Sequence, residues 1–337
     1  MNLNRKVLLA SEIVGIPQEE NFCVISDPIP EPGKNEILIK HIYLSLDPYQ
    51  RSAITGAHMS AEGPLERQNV PSAETVGQVI ESNHPDFING DYVRHFGGWQ
   101  EYSVSDGTKT YKIDPNKAPL TTYLGILGMP GLTAYASVVK LAKFSAGQSV
   151  LVSAATGPVG SMVGQLARQF GGSAYGIAGS DKKCEFAIKE LGFVDCINYK
   201  QPDYLHNLNQ TITDGVDVYH DNVGGQILED AIGVLKDYGT VVLCGLISHY
   251  NKINKLHHFN LVTPILKRAV IKGLIVYDFE DCRQEFFDLV SPWVREGIIR
   301  YKEDRVFGIE KTGAHFKRLL SGQNFGKSIV VLDEDYV

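Results

Sequence analysis

The sequence predicts an α/β protein in two parts, a β-rich domain and a doubly wound parallel sheet. Three observations carry this. Residues 150–153 form an apolar, β-branched run that passes through Gly157, Gly160 and Gly164 into a helical apolar pattern. After that turn, strand-like and helix-like stretches alternate, the pattern of a parallel sheet. Before it, short strands are punctuated by turns, as in a small barrel-like fold.

The elements follow in order. Residues 24–32 end in Pro28, Pro30 and Pro32 and read as a loop. Residues 36–45 read as a strand, and Asp47-Pro48-Tyr49-Gln50-Arg51 as a turn. Residues 55–70 are polar and glycine-rich and read as a mobile surface loop. Strands are expected at 73–81, 90–94 and 101–104. From 120 to 142 the chain is helical in character, broken by Gly128-Met129-Pro130-Gly131. The first strand of the second part is 150–153, and 159–170 is its helix, with Val159, Val163, Leu166, Ala167 and Phe170 on one face. Further strands are expected at 174–178, 196–199, 216–221, 240–244 and 269–276. Helices are expected at 182–191, 226–235 and 286–296. The tail, 327–332, is a strand with no parallel partner nearby in sequence, so it returns to the first domain.

The chain has 337 residues, enough for two domains, and 43% hydrophobic residues to fill them. Its net charge of −7, with no basic run, argues against nucleic acid and anionic membranes as partners. Nowhere do eighteen apolar residues run together. Cys23, Cys184, Cys196, Cys244 and Cys282 are scattered and odd in number, which suits a reducing, cytoplasmic setting rather than a disulfide framework.

Strand, glycine turn and helix make a dinucleotide site credible. Gly157 is expected to allow the tight turn, Gly160 to let backbone approach a pyrophosphate, and Gly164 to bring helix and strand together. Ala155 stands where the usual fingerprint has its first glycine. With Pro158 and Val159 it completes the loop whose helix amides face the phosphates. In an NAD site an acidic residue ends the second strand; here Gly179 does. The small residue leaves room for a 2′-phosphate, Ser180 can donate to it, and Lys182 or Lys183 supplies charge. NADP(H) is therefore expected. Asp181, two residues late, is the contrary signal.

Together, Gly128-Met129-Pro130-Gly131-Leu132-Thr133-Ala134-Tyr135, the 154–164 turn, Gly179-Ser180-Asp181, Asp221-Asn222-Val223-Gly224-Gly225 and Asn324-Phe325-Gly326-Lys327 resemble one family. It is the zinc-independent medium-chain dehydrogenase/reductases, and within it the NADPH-dependent alkenal/enone reductases. The resemblance implies a GroES-like catalytic domain of residues 1–122 and 308–337 and a Rossmann domain of residues 123–307, with the active site in the cleft between them. By position it implies that Lys183 contacts the 2′-phosphate with Ser180 and Tyr199 nearby, and that Asn222 lies along the cofactor. Cys244, Gly245 and Ile247 line the nicotinamide half, and Asn324 binds it from the closing segment. Tyr250 sits where the family has a tyrosine near the substrate carbonyl, and we carry it as catalytic. Tyr49 and Arg51 are substrate candidates, although Arg51 could equally pair with Asp47.

Zinc alcohol dehydrogenases share this fold, but their catalytic metal needs cysteine and histidine ligands. Pro71-Ser72-Ala73-Glu74-Thr75-Val76-Gly77 has Ala73 where they have histidine, and Asp47 stands near their first cysteine. His257-His258 reads as a solvated loop pair. No metal site is expected. The substrate is then a small electrophilic enone or enal, with hydride delivered to the β-carbon. Quinone reduction on the same fold and non-catalytic NADPH binding are the alternatives. The apolar run 270–276, at the expected sheet edge, predicts a homodimer.

Overall fold

The computed structural model describes residues 3–58, 63–251 and 259–336. The His257-His258 pair and the centre of the 55–70 loop lie outside these residues. The chain divides into two compact units, Met1–Leu124 with Glu303–Val337, and Gly125–Lys302. Among the described residues, no helix is long and apolar enough to cross a membrane.

The first unit is built on Ile37–Leu46, a strand in which every residue but Lys40 is buried. A strand covered on both faces must be apolar almost throughout, and this one is. Thr75–Ser82 and Tyr102–Ser105 pair with it antiparallel, and so does Lys327–Val331, with Ser328 opposite Leu46. The tail strand therefore belongs to this unit. It also has a parallel partner close in sequence, Glu303–Phe307, contrary to the sequence reading. Glu303, Asp304 and Arg305 hide that edge strand, because charges on the exposed side of an edge break the apolar pattern. Residues 22–28 are likewise a strand rather than loop, paired antiparallel with Leu3–Leu9. Its proline falls at the last position, where no ladder hydrogen bond is lost. The expected turn at 47–51 is instead a short helix, Tyr49–Ile54, entered through Pro48. Trp99, fully buried, packs its ring 5.2 Å from Phe316 and 5.0 Å from Phe22.

His41 and His95 are buried inside this sheet. His41 Nδ1 donates to the Gln100 carbonyl at 2.7 Å, so its Nε2 is an acceptor, 2.8 Å from Ser103 Oγ and 3.1 Å from His95 Nε2. Burial drives His41 down to about 4, and holds His95 well below its usual range. In the second unit, burial drives His220 down to about 4 as well. The unfolded chain binds these protons below pH 6.5 and the folded chain does not, so stability is full above pH 6.5 and falls between 6.5 and 4. The slope reaches about 1.4 kcal/mol per pH unit for each histidine. Urea midpoints measured from pH 7.5 to 4.5 are expected to drop steadily below 6.5. A flat profile contradicts neutral burial.

The second unit is a six-stranded sheet, parallel at every pairing. Across it run Asp195–Asn198, Ser173–Ala178, Ser149–Ser153, Val216–Asp221, Leu235–Leu243 and Val270–Gly273. In chain order that is 3-2-1-4-5-6, the dinucleotide-fold arrangement. The order reverses between the first and fourth strands, and ligands sit at their carboxyl ends. The fifth strand starts at Leu235, earlier than expected, because the preceding helix, Gly225–Gly233, is shorter. The sixth ends at Gly273, and a tight helical segment, Val276–Cys282, follows. Val270 and Ile271 on this edge strand are exposed, as are Leu261, Val262, Ile265 and Leu266 just before it.

Candidate functional site

The first strand delivers the turn. Ala154, not a glycine, takes the left-handed conformation (φ 52°), and the Gly157 amide donates to its carbonyl at 2.9 Å. Gly157 itself is extended (φ −71°), so the turn's bend does not depend on it. Pro158 opens the helix Pro158–Gln169, where a missing N–H costs nothing. The amides of Val159 and Gly160 therefore head a helix of twelve residues. A Cβ on Gly160 would lie 2.5 Å from the Ala154 carbonyl oxygen and 3.1 Å from Ala155 Cα. A Cβ on Gly164 would enter the Phe193 ring. Gly160 thus seats the helix on its own turn, and Gly164 makes room for Phe193 rather than for the strand. Ala155 is buried, and Gly176 on the second strand leaves space for its methyl.

Gly179 follows the last residue of the second strand and faces Tyr199. A Cβ there would stand 3.1 Å from the Tyr199 ring, 3.3 Å from its hydroxyl and 3.5 Å from Lys200 Cε. Ser180 caps the helix Asp181–Lys189, accepting from the Lys183 amide at 3.3 Å. Asp181 turns aside: its carboxylate accepts from Asn198 Nδ2 at 2.7 Å and from Gln201 Nε2 at 3.2 Å. It is satisfied by the third strand and its loop. Lys200, exposed beside Gly179 with its Nζ 5.9 Å from the Tyr199 ring centre, is a cation the sequence reading missed.

The fourth strand supplies the hub. Asp221 is buried, and its carboxylate accepts from Ser153 Oγ (3.1 Å), Tyr219 OH (2.6 Å), the Val223 amide (3.2 Å) and the Gly224 amide (2.9 Å). Burial pushes it up, and these donors oppose the shift. Its backbone carbonyl accepts from Cys244 and Gly245 amides, at 2.9 and 3.1 Å. Asn222 and Val223 carbonyls accept from Ile247 and Ser248 amides, at 3.4 and 3.1 Å. Residues 244–248 are therefore hung on 221–223. The sequence quoted Asp221 in its motif but gave no sign of this role.

Tyr250 ends the short helix Ile247–Tyr250. Its hydroxyl returns over the same loop, accepting from the Leu246 amide at 3.3 Å and standing 3.5 Å from a Cβ built on Gly245. Burial raises this phenol above its usual range, and Cys244 and Asp221 raise it further. It stays protonated, with its lone pair engaged by backbone and its hydrogen available. Burial pushes the Cys244 thiol up to about 12, which favours the protonated thiol over the nucleophilic thiolate at neutral pH.

The first unit carries the other candidates. Arg51 is 1% exposed, and its guanidinium donates to the carbonyls of Ile13 and Gly15 at 3.1 Å. It ties down that loop and does not pair with Asp47, whose partner is Lys327. Tyr49, partly exposed, faces the His58 ring at 5.0 Å. Asn324 Nδ2 donates to the Gly326 carbonyl at 2.9 Å. Asp47 is buried against Lys327, 2.5 Å from its ammonium, and Ser45 Oγ donates to its other oxygen. Ala73, also buried, offers no donor atom.

The structure thus gathers every second-unit candidate at the carboxyl ends of the parallel strands. Comparison with known proteins adds the following. The family described as "N-terminal domain of oxidoreductase" matches residues 5–113, and that described as "Zinc-binding dehydrogenase" matches residues 158–292. The NADPH-dependent curcumin reductase of Escherichia coli (strain K12) is 35% identical over 334 residues, 97% of this chain and 96% of that protein. The 2-alkenal reductase (NADP(+)-dependent) of Nicotiana tabacum is 36% identical over 342 residues, 98% of each. The crystal structure of CurA in complex with NADPH from Vibrio vulnificus superposes with a TM-score of 0.92 at 36% identity, covering 98% of this chain and 99% of that one.

Proposed function

Because this chain belongs to the zinc-independent medium-chain dehydrogenase/reductases, in their alkenal/enone reductase group, we infer that it reduces the carbon–carbon double bond of α,β-unsaturated aldehydes and ketones with NADPH. The observation that carries the reading is the pairing of a phosphate-type turn with a neutral, oriented phenol beyond the carboxyl ends of the first and fifth parallel strands, which flank the fourth.

The residues fit the cofactor. The helix amides after Pro158 suit a pyrophosphate. Gly179, Ser180, Tyr199 and a lysine suit a 2′-phosphate, and Asp181 is held away by Asn198 and Gln201. Asn222, Cys244, Gly245 and Ile247 flank the middle of the sheet, where the rest of a dinucleotide would run. Asn324 and Tyr49 are assigned to nicotinamide and substrate on the family resemblance alone. When bound, NADPH supplies the hydride. Tyr250 donates its hydrogen to the substrate's carbonyl oxygen, where negative charge gathers as an enolate. A proton from water or through Tyr250 then reaches the α-carbon. Zinc, named in one matching family's description, does not fit. Asp47 is neutralised by Lys327, and Ala73 cannot ligate. A carbonyl would lack its Lewis acid, and the activated alkene does not need one.

The test is NADPH consumption against alkenals, enones and quinones, with product analysis. Saturated carbonyl products are expected; turnover of quinones alone, or binding without turnover, contradicts the reading.

Cofactor choice gives a second test. Lys183→Ala and Lys200→Ala are each expected to weaken NADPH by about 1–2 kcal/mol, roughly 5- to 30-fold, and to leave NADH nearly unchanged. Equal losses for both cofactors would remove the lysines from the 2′-phosphate site.

We also assign a homodimer, on the exposed apolar edge around Val270, Ile271, Ile265 and Leu266. Light scattering at micromolar concentration should give twice the chain mass of 37.2 kDa, and a monomer mass ends the idea.

A further inference from the structure

His220 has no part in the site as assigned, yet it is a fully buried, polar side chain beside one of its residues. The protons around it can be placed without choice. The Ser153 carbonyl only accepts, so the Asn222 atom 2.8 Å from it is Nδ2. Asn222 Oδ1 then faces His220 Nε2, 3.2 Å away, and that nitrogen must carry hydrogen. A neutral ring leaves Nδ1 as an acceptor, and it takes the hydroxyl hydrogen of Ser137 at 2.7 Å. Ser137, 1% exposed, is fixed on the helical segment Ala136–Leu141. The chain Ser137–His220–Asn222–Ser153 therefore runs in one direction only. The Asn222 backbone amide closes it onto Ser153 Oγ at 2.8 Å.

We propose that His220 is a positioning residue for the cofactor, holding the Asn222 amide in one orientation so that a single Nδ2 hydrogen remains for the ligand. This rests on the assignment of Asn222 to the cofactor. Without a donor at Oδ1 the amide is held by the Ser153 carbonyl alone and can swing about that single bond, so its second Nδ2 hydrogen is no longer fixed in direction. Burying an imidazole for packing alone is unfavourable, because an apolar ring fills the same space without needing partners.

The experiment is NADPH titration by fluorescence with Asn222→Ala, His220→Gln, His220→Asn, His220→Phe and the double variant His220→Phe/Asn222→Ala. Glutamine places an N–H where Nε2 stood; asparagine reaches only the Nδ1 position. Asn222→Ala, His220→Asn and His220→Phe are each expected to weaken NADPH about 5- to 20-fold, the worth of one lost hydrogen bond. His220→Gln should stay within about threefold of wild type, and the double variant within about twofold of Asn222→Ala alone, because one interaction cannot be lost twice. In the His220 single variants, the KM for the enone at saturating NADPH should not move. Glutamine and asparagine failing alike, or additive losses in the double variant, would reduce His220 to packing. If His220→Phe does not fold, the glutamine–asparagine contrast decides. Saturable NADPH binding by wild type that ignores His220→Asn sinks this proposal alone; absence of such binding sinks the cofactor reading with it.

Discussion

Replacing Tyr250 by phenylalanine is expected to lower enone turnover about 10- to 100-fold. The hydroxyl accepts from the Leu246 amide and stands over Gly245, so its hydrogen is the part left to do chemistry. Its raised pKa keeps that hydrogen in place at neutral pH. A donor to a developing oxyanion is typically worth about 2.7–4 kcal/mol, or roughly 100- to 1000-fold. The expected loss is smaller because a cofactor ribose hydroxyl can share the role. NADPH affinity should stay nearly unchanged, and kcat and kcat/KM should fall together, as for an interaction made only in the transition state. Quinones, which hold charge on oxygen more readily, should lose less than enones. Full activity in the phenylalanine variant would strike Tyr250 from the catalytic residues and leave it as packing around residues 244–246.

Replacing Gly160 by valine should abolish cofactor binding, with a loss of at least about 100-fold. The atoms a Cβ meets belong to the backbone of Ala154 and Ala155, and no side-chain rotation relieves that contact. The helix must lift from its turn, carrying the Val159 amide away with it. Even Gly160→Ala should cost about 1–3 kcal/mol of stability by overpacking. Gly157→Ala is the control: its Cβ would lie 3.3 Å from one carbonyl oxygen at an ordinary φ, so thermal unfolding should shift little. If both alanine variants unfold at the wild-type temperature, the helix does not sit on its turn as described.

That contrast shows what the sequence could and could not say. Strand, glycine turn and helix were legible because buried parallel strands and amphipathic helices impose different apolar periods. The division of labour among the glycines was not legible. The left-handed residue is Ala154, and the steric demands come from Ala154 at Gly160 and from Phe193 at Gly164, contacts no local pattern records. The strand Glu303–Phe307 was missed because its charged residues imitate a loop, and Phe22–Pro28 because its terminal proline did. Within the site, Gly179, Ser180 and Tyr250 could be picked out from position and resemblance. Asp221 as a hub could not, since its four donors come from three places in the chain. Arg51 misled in the other direction. A cation near a loop suggests a ligand, but its Nε and Nη2 are spent on the Ile13 and Gly15 carbonyls and the side chain is buried.

The central claim is that reducing equivalents go to carbon rather than to oxygen. It is tested most directly by following deuterium from NADPH labelled at the nicotinamide C4, with an acyclic enone as substrate and the product examined by NMR. The account predicts a saturated ketone with its carbonyl intact, deuterium on the β-carbon and a solvent-derived hydrogen on the α-carbon. An allylic alcohol with deuterium on the former carbonyl carbon would contradict it.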